Sequence, residues 1–313
     1  MQLKDRTGNR QFGEDNMARH NVIILRGIVN DDPRTGKNKD GTSFAFVRVT
    51  VARALRDTGD GNLLMKCYNP MVMTKNEELV KEIESWKKFD IVGVKGTLSS
   101  KAIKKSSYCE HCGRKNVTMG ALVYVNPIEI EKFGHCDSEE ECLDYLGKKR
   151  EFSDLAYVVG TLCREPAKVK SRYAYPITQY QIAIMRKFHV REDPPEIRID
   201  WPWVKSYGDN AVKDAQRLTT GAEVLIDGYL QTRHVERRAY CGQELDEKGH
   251  PKKNPDGSPA LRVGKDGKID GCGEQYRWQD SVTELGVYSV EYLSGCKPEE
   301  ASPGPQEGEV EEA

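Results

Sequence analysis

The strongest constraint on this chain is that one folding unit is written in it twice. Gly27 and Pro33 recur as Gly160 and Pro166, and Arg53 recurs as Arg186, each 133 positions on; Gly96-Thr97-Leu98 recurs as Gly228-Tyr229-Leu230 at 132. Chance matches of single residues do not hold one offset over so long a stretch, so the landmarks mark a duplication. The chain has 313 residues, of which 37% are hydrophobic and 31% charged, with mean hydropathy −0.68. That is too long for one minimal domain and too polar for one large core, and two modest domains are expected.

Within each copy the elements can be read from periodicity. Val22-Ile23-Ile24-Leu25 opens a strand that runs toward Pro33, and the polar stretch 35–42 turns the chain back. In the next strand Ala45, Val47, Val49 and Val51 fall on one face and Phe44, Phe46, Arg48 and Thr50 on the other. The first set is the expected core. A third strand ends near Tyr68, a helix carries Leu79, Ile83 and Trp86, and strands follow at 91–98 and 121–130. Three strands, a helix and two strands is the order of a five-stranded oligonucleotide-binding (OB) barrel. The expected fold is mainly β: two tandem OB barrels, each with one helix between strands 3 and 4.

The remaining segments divide the chain further. Residues 1–20 lack apolar periodicity and read as a flexible arm; 21–134 form the first barrel, 135–154 an acidic linker with room for a short helix around Leu143, and 155–294 the second barrel. The second barrel carries an insertion at about 242–271, rich in Gly, Pro, Lys and Asp, expected as a flexible hairpin arm. Residues 295–313 read as a disordered acidic tail. From Lys297 onward there are one lysine and six glutamates, net −5, so the total of −1 hides a body of +4. A mildly basic body suits a polyanion ligand. No run approaches a membrane helix and the start lacks a signal peptide's apolar stretch, so a soluble cytoplasmic protein is expected, with no membrane partner. Nine cysteines in a chain this size argue for reduced thiols.

The candidate binding residues follow from the barrel. In Trp201-Pro202-Trp203-Val204-Lys205-Ser206-Tyr207, residues two apart share a strand face, so Trp201, Trp203, Lys205 and Tyr207 are expected to offer three aromatic plates and a cation. Bases stack on such plates and lysines follow phosphates, although an aromatic core stripe has the same spacing. At an offset of 133, Trp201 corresponds to Tyr68, which makes the first barrel the weaker binder; Phe46 and Arg48 compensate there, unless Phe46 packs against a neighbour. The strand 4–5 arms carry Lys101, Lys104, Lys105 and Tyr108 in one copy and Arg233, Arg237, Arg238 and Tyr240 in the other. Arg186, Phe188, Tyr276 and Trp278 flank the same surface, Trp278 doubling as a core candidate. Cys109 and Cys112 make half a zinc knuckle. Cys136 and Cys142 lie too far along the chain to complete it, whereas Cys241 and Cys272 bracket the matching hairpin and could do so if the two arms met. The alternative is four unligated thiols; no cofactor is required by the binding chemistry.

The run from His20 to Gly27, then Asp32-Pro33, Gly41-Thr42 and Val47 to Arg53, resembles the opening of bacterial and phage single-stranded DNA-binding proteins. Gly228 to Arg233 is similar to that family's strand-four ending. The resemblance covers about 20–134 and 155–293 and implies a nucleoid-associated protein that coats single-stranded DNA with little sequence preference in replication, recombination or repair. It places base-stacking aromatics at Trp201 and Tyr207, and implies a homodimer presenting four barrels. It also implies replication or repair partners docking on the acidic tail, though this chain ends in Ala313 where the family has a terminal aromatic. A different class, an OB-fold adaptor that binds other proteins of a replication or mobile-element machinery, shares the same composition. An enzyme is not expected, since no phosphate-cradling loop, nucleophile motif or His/carboxylate cluster stands in the sequence.

Overall fold

The computed structural model describes residues 20–54, 65–170, 175–186, 199–247, 249–265 and 267–298. Residues 1–19 of the expected arm 1–20, residues 299–313 of the expected tail 295–313, and Phe188 lie outside the described residues. The first repeat comprises β1 (Asn21–Val29), β2 (Arg34–Lys37), β3 (Ser43–Ala54), β4 (Met65–Tyr68), β5 (Met71–Thr74), α1 (Glu77–Glu84), β6 (Asp90–Tyr108) and β7 (Lys115–His135). After α2 (Glu139–Lys149) comes the second: β8 (Asp154–Leu162), β9 (Ala167–Lys168), β10 (Ile177–Met185), β11 (Ile199–Asp200), β12 (Trp203–Tyr207), α3 (Asp209–Arg217), β13 (Glu223–Tyr240) and β14 (Gln275–Ser294).

Each repeat closes as an OB barrel. β1 pairs antiparallel with β3 and with β6, β6 with β7, and β7 runs parallel to β5 at Val72↔Val125. The second repeat copies this: β8 pairs with β10 and β13, and β12 runs parallel to β14 at Val204↔Leu285. The alternation read in β3 is realised, with Ala45, Val47, Val49 and Val51 buried and Phe46 and Arg48 turned outward. The third strand continues beyond Tyr68: Pro70, which has no N–H to donate, interrupts it before it resumes at Met71. The Pro70 carbonyl still accepts from the Val49 N–H at 3.1 Å.

Two helical expectations change. α1 is capped by Asn76, whose side chain accepts from the Glu78 and Leu79 N–H groups, and it buries Val80 and Ile83. The helix ends before Trp86, which is buried in the following turn, and its buried face is Val80 and Ile83, with Leu79 only half-buried. The stretch 135–154 holds a packed helix: Cys142 and Leu146 of α2 bury against Ile28, Ala52 and Cys136, leaving Leu143 exposed.

The barrels are joined edge to edge. β1 pairs antiparallel with β8 from Asn21↔Val158 to Leu25↔Asp154, making one sheet whose path crosses both repeats. Their cores merge into one apolar cluster containing Ile23, Leu25, Val72 and Val94 with Ala156, Val158, Val204 and Ile226.

Beyond the barrels, β6–β7 and β13–β14 continue as long hairpins. From Leu98 to Tyr108 the first arm extends roughly 30 Å at strand rise. A β-bulge falls at Lys95/Gly96 and at the equivalent Asp227/Gly228. A Cβ on Gly96 would stand 2.3 Å from the Asn126 carbonyl oxygen, and one on Gly228 2.1 Å from that of Gly286, so both copies need glycine there. The insertion is not the single hairpin expected but a run of tight turns. Asp246–His250, Asn254–Ser258 and Gly264–Lys268 each close with the first N–H donating to the fifth carbonyl, and Gly249, Gly257 and Gly267 take the left-handed position.

Candidate nucleic-acid interface

On the second barrel, Val204 and Ser206 of β12 turn inward and Trp203 and Tyr207 turn outward. Cross-strand pairing sets Gln181 opposite Trp203 and Ile177 opposite Tyr207. The Arg164 guanidinium lies 5.1 Å from the centre of the Trp203 ring, a cation on an aromatic face. Tyr207 Oη sits 2.8 and 3.0 Å from the amide nitrogen and oxygen of Gln231, and Tyr175 meets its ring edge-on at 6.3 Å. Trp201 precedes the strand and is 49% exposed, its carbonyl accepting from Gln181 Nε2 at 3.0 Å.

Lys205 does not join this platform as a cation for phosphate. Its side chain is only 9% exposed and its ammonium stands 3.3 Å from Glu284, which also takes two hydrogen bonds from Arg233 at 2.8 and 2.9 Å. Burial pulls the Lys205 ammonium below its ordinary pKa, with Glu284 opposing. Burial alone would raise Glu284, but Arg233 and Lys205 hold it below the usual carboxylate range. Arg233 is held by this bidentate ion pair while part of its side chain stays exposed.

The first barrel carries its aromatics on a different strand. Phe44 and Phe46 of β3 stack with ring centres 6.4 Å apart and planes 8° from parallel, with Arg34 5.8 Å from the Phe46 centre and Arg48 exposed beyond it. Lys101 lies 5.7 Å from the Tyr124 ring centre. Phe44 belongs to the outward set of the β3 alternation, and Arg34 and Arg164 become visible as partners only once strands pair.

Tyr68 is a correction in both register and burial. The parallel closures equate Val72 with Val204, so in the third strand the offset is 132, Tyr68 matches Asp200, and Trp201 matches Asn69. Tyr68 is 3% exposed and stacks on Tyr229 inside the fused core. Arg186 is likewise structural: it is buried and bidentate on Asp200 at 2.7 and 3.0 Å. Tyr276 is fully buried, its hydroxyl 2.8 Å from Ser107 Oγ, and half-buried Trp278 stacks on it at 5.3 Å.

The arms present the remaining candidates. Lys101, Lys104 and Tyr108 are exposed, Tyr108 at 64%, and Tyr240 is half-buried. Lys105 reaches across to Asp280 of the other arm at 2.7 Å, and Arg237 shares that carboxylate at 3.5 Å. Arg238 is exposed and pairs with Glu236 at 3.0 Å. Between the first arm and the insertion lies a cleft of about 530 Å³ lined by Lys104, Arg114, Lys115, Met119, Glu247 and Arg262. At the arm tips the sulfur atoms of Cys109, Cys112, Cys241 and Cys272 all lie within 4.8 Å of one another. The two arms do meet.

Comparison with known proteins agrees with this architecture. A family model described as the single-strand binding protein family matches residues 155–245, most of the second barrel. The wild-type single-stranded DNA binding protein from Thermus aquaticus superimposes with a TM-score of 0.52 at 14% identity, covering 91% of this chain and 98% of that one. The second barrel is thus similar to the single-strand binding protein family, and the whole chain shares the fold of the Thermus aquaticus protein. A deletion mutant of the Thermus aquaticus protein gives the same values, 0.52 and 14%. No curated protein matches the chain.

Proposed function

We propose that this chain is a single-strand binding protein, binding single-stranded DNA across the outward faces of both barrels and along the arms, with little sequence preference, in replication, recombination or repair. It acts by binding alone. One observation carries this reading: each barrel turns aromatic rings outward beside guanidinium groups, Trp203 under Arg164 on one and the Phe44–Phe46 stack beside Arg34 on the other. Every base has a π-face, so such platforms hold bases without reading sequence, and cations alongside them take the phosphates. The match of residues 155–245 to the single-strand binding protein family supports it. A stacked base cannot re-pair, so occupancy of these faces would keep strands apart.

The β1–β8 pairing already places two barrels side by side within one chain, and a homodimer of chains would present four. Tryptophan fluorescence titration with a mixed-sequence single strand and its duplex, at two salt concentrations, tests the proposal. The expected result is quenching by the single strand only, weakening as salt rises. Equal binding of duplex and single strand, or an affinity indifferent to salt, would overturn it.

A further inference from the structure

The four clustered cysteines are not four independent residues but two positions of the repeat, each used twice. Cys109 follows the end of β6 and Cys241 the end of β13, 132 positions apart, the offset that relates Gly96 to Gly228. Cys112 and Cys272 are 160 apart, the offset that relates Val125 to Leu285 in the returning strands. The two offsets differ because the insertion lies between Cys241 and Cys272. After each second cysteine stands a left-handed glycine, Gly113 at φ 69° and Gly273 at φ 75°. The arms therefore bring the same half-knuckle together from both repeats.

The geometry points to a metal: we propose that Cys109, Cys112, Cys241 and Cys272 bind one zinc ion in a closed tetrahedral site that cross-links the two arms. The close pairs run between repeats, Cys109 with Cys272 at 3.6 Å and Cys112 with Cys241 at 3.5 Å. Sulfurs around a tetrahedral zinc with bonds of about 2.3 Å stand roughly 3.8 Å apart. The observed separations approach that value and are far from the ~2.05 Å of a covalent S–S bond. Four thiolates with no open position suit a structural zinc, and soft sulfur ligands exclude magnesium or calcium. The surroundings also fit a thiolate: Asn116 Nδ2 points at Cys241 Sγ from 3.7 Å while its Oδ1 accepts from the Gly242 N–H at 3.1 Å. Ala239, Tyr276 and Trp278 pack around the buried pair Cys109 and Cys241.

The clasp ties residues 129 to 163 apart in sequence, and it fixes the insertion at both ends, since Cys241 and Cys272 bracket it. This inference stands on the arm geometry and is independent of what the barrels bind. The test is elemental analysis of the full chain purified under reducing conditions, for wild type, Cys112→Ser, Cys272→Ser and the control Cys67→Ser, followed by cobalt exchange of the wild type. About one zinc per chain is expected in the wild type and in Cys67→Ser, with loss in the other two. Cobalt should give intense thiolate charge-transfer bands and the d–d spectrum of a tetrahedral site. Wild-type protein that takes up no zinc, that holds iron in its place, or that retains zinc in both Cys112→Ser and Cys272→Ser would overturn the proposal. Because the wild-type content and cobalt spectrum are read directly, failure of a variant to fold does not shield the proposal.

Discussion

Ile23 of β1 lies directly opposite Ala156 of β8, and these two residues are each other's counterparts in the repeat, 133 positions apart. An antiparallel pair that matches a residue with its own equivalent marks a local two-fold axis. The axis passes between the barrels at this pair, and the cysteine pairs at the arm tips obey the same exchange. The chain is built as a symmetric dimer whose halves are covalently joined.

Because Ile23 is fully buried in a core shared by both repeats, the barrels should unfold together. Ile23→Ala is expected to cost about 2–5 kcal/mol. Differential scanning calorimetry should show a single transition moving to lower temperature. Two transitions, only one of them shifted, would mean that the barrels are independent.

Asp154 and Asn21 are repeat equivalents with the same task in opposite chemistry. Asn21 accepts from the Leu98 N–H at 2.8 Å and donates to the Leu98 carbonyl at 2.9 Å, whereas Asp154 accepts from the Leu230 N–H at 3.0 Å. Burial pushes the Asp154 carboxyl from 3.8 up to about 8, against the pull of the Leu230 N–H and Arg53. A folded-state pKa above the unfolded one contributes stability that is complete below pH 3.8 and is lost as pH rises through about 8. Asp154→Asn, copying the other barrel, should flatten the decline in melting temperature between pH 4 and pH 8 and leave the variant the more stable at pH 8. An unchanged pH profile would contradict the assignment.

The Arg233–Glu284–Lys205 cluster should respond asymmetrically to mutation. Glu284→Gln leaves two cations without their carboxylate, one of them buried, and is expected to cost about 3–5 kcal/mol. Lys205→Met keeps the bidentate Arg233–Glu284 pair and fills the same space, so it should be tolerated in chemical denaturation. It should also leave oligonucleotide affinity within about twofold, since a buried ion pair has no phosphate to follow. A tenfold loss of affinity in Lys205→Met would restore it to the interface.

Neighbouring lysines of the first arm differ in whether they face solvent. Lys104 is exposed, whereas Lys105 is held by Asp280. Lys104→Ala is therefore expected to reduce the slope of log affinity against log salt by about 0.7, the value for one single-strand phosphate contact, with Lys105→Ala changing the slope less. Equal changes in the two variants would contradict this distinction.

The barrels were legible in the sequence because period-2 alternation in β3 depends on neighbouring residues alone and the repeat offsets can be counted along the chain. The site was legible only in part. The outward placement of Trp203, Tyr207, Phe46 and Arg48 was legible because a strand's face can be read from spacing. The ion pairs of Lys205, Arg233 and Arg186 were not legible, because their carboxylates, Glu284 and Asp200, reach them through strand pairing. Tyr68 was misplaced because the offset changes by one between β3 and β4, which the strand pairings reveal: Val51 faces Tyr68, whereas Ile184 faces Asp200. The cysteines were visible as pairs on separate hairpins; their meeting depends on the packing of one arm on the other.

The most direct test of the central claim is the affinity of a mixed-sequence single-stranded oligonucleotide for wild type, Trp203→Ala, Phe46→Ala and the double variant, with far-UV circular dichroism confirming the fold. Each single variant is expected to weaken binding roughly 5- to 150-fold, the loss of one stacked base at about 1–3 kcal/mol, and the double variant to approach the product. Wild-type affinity in the double variant would contradict base stacking on the two outward faces.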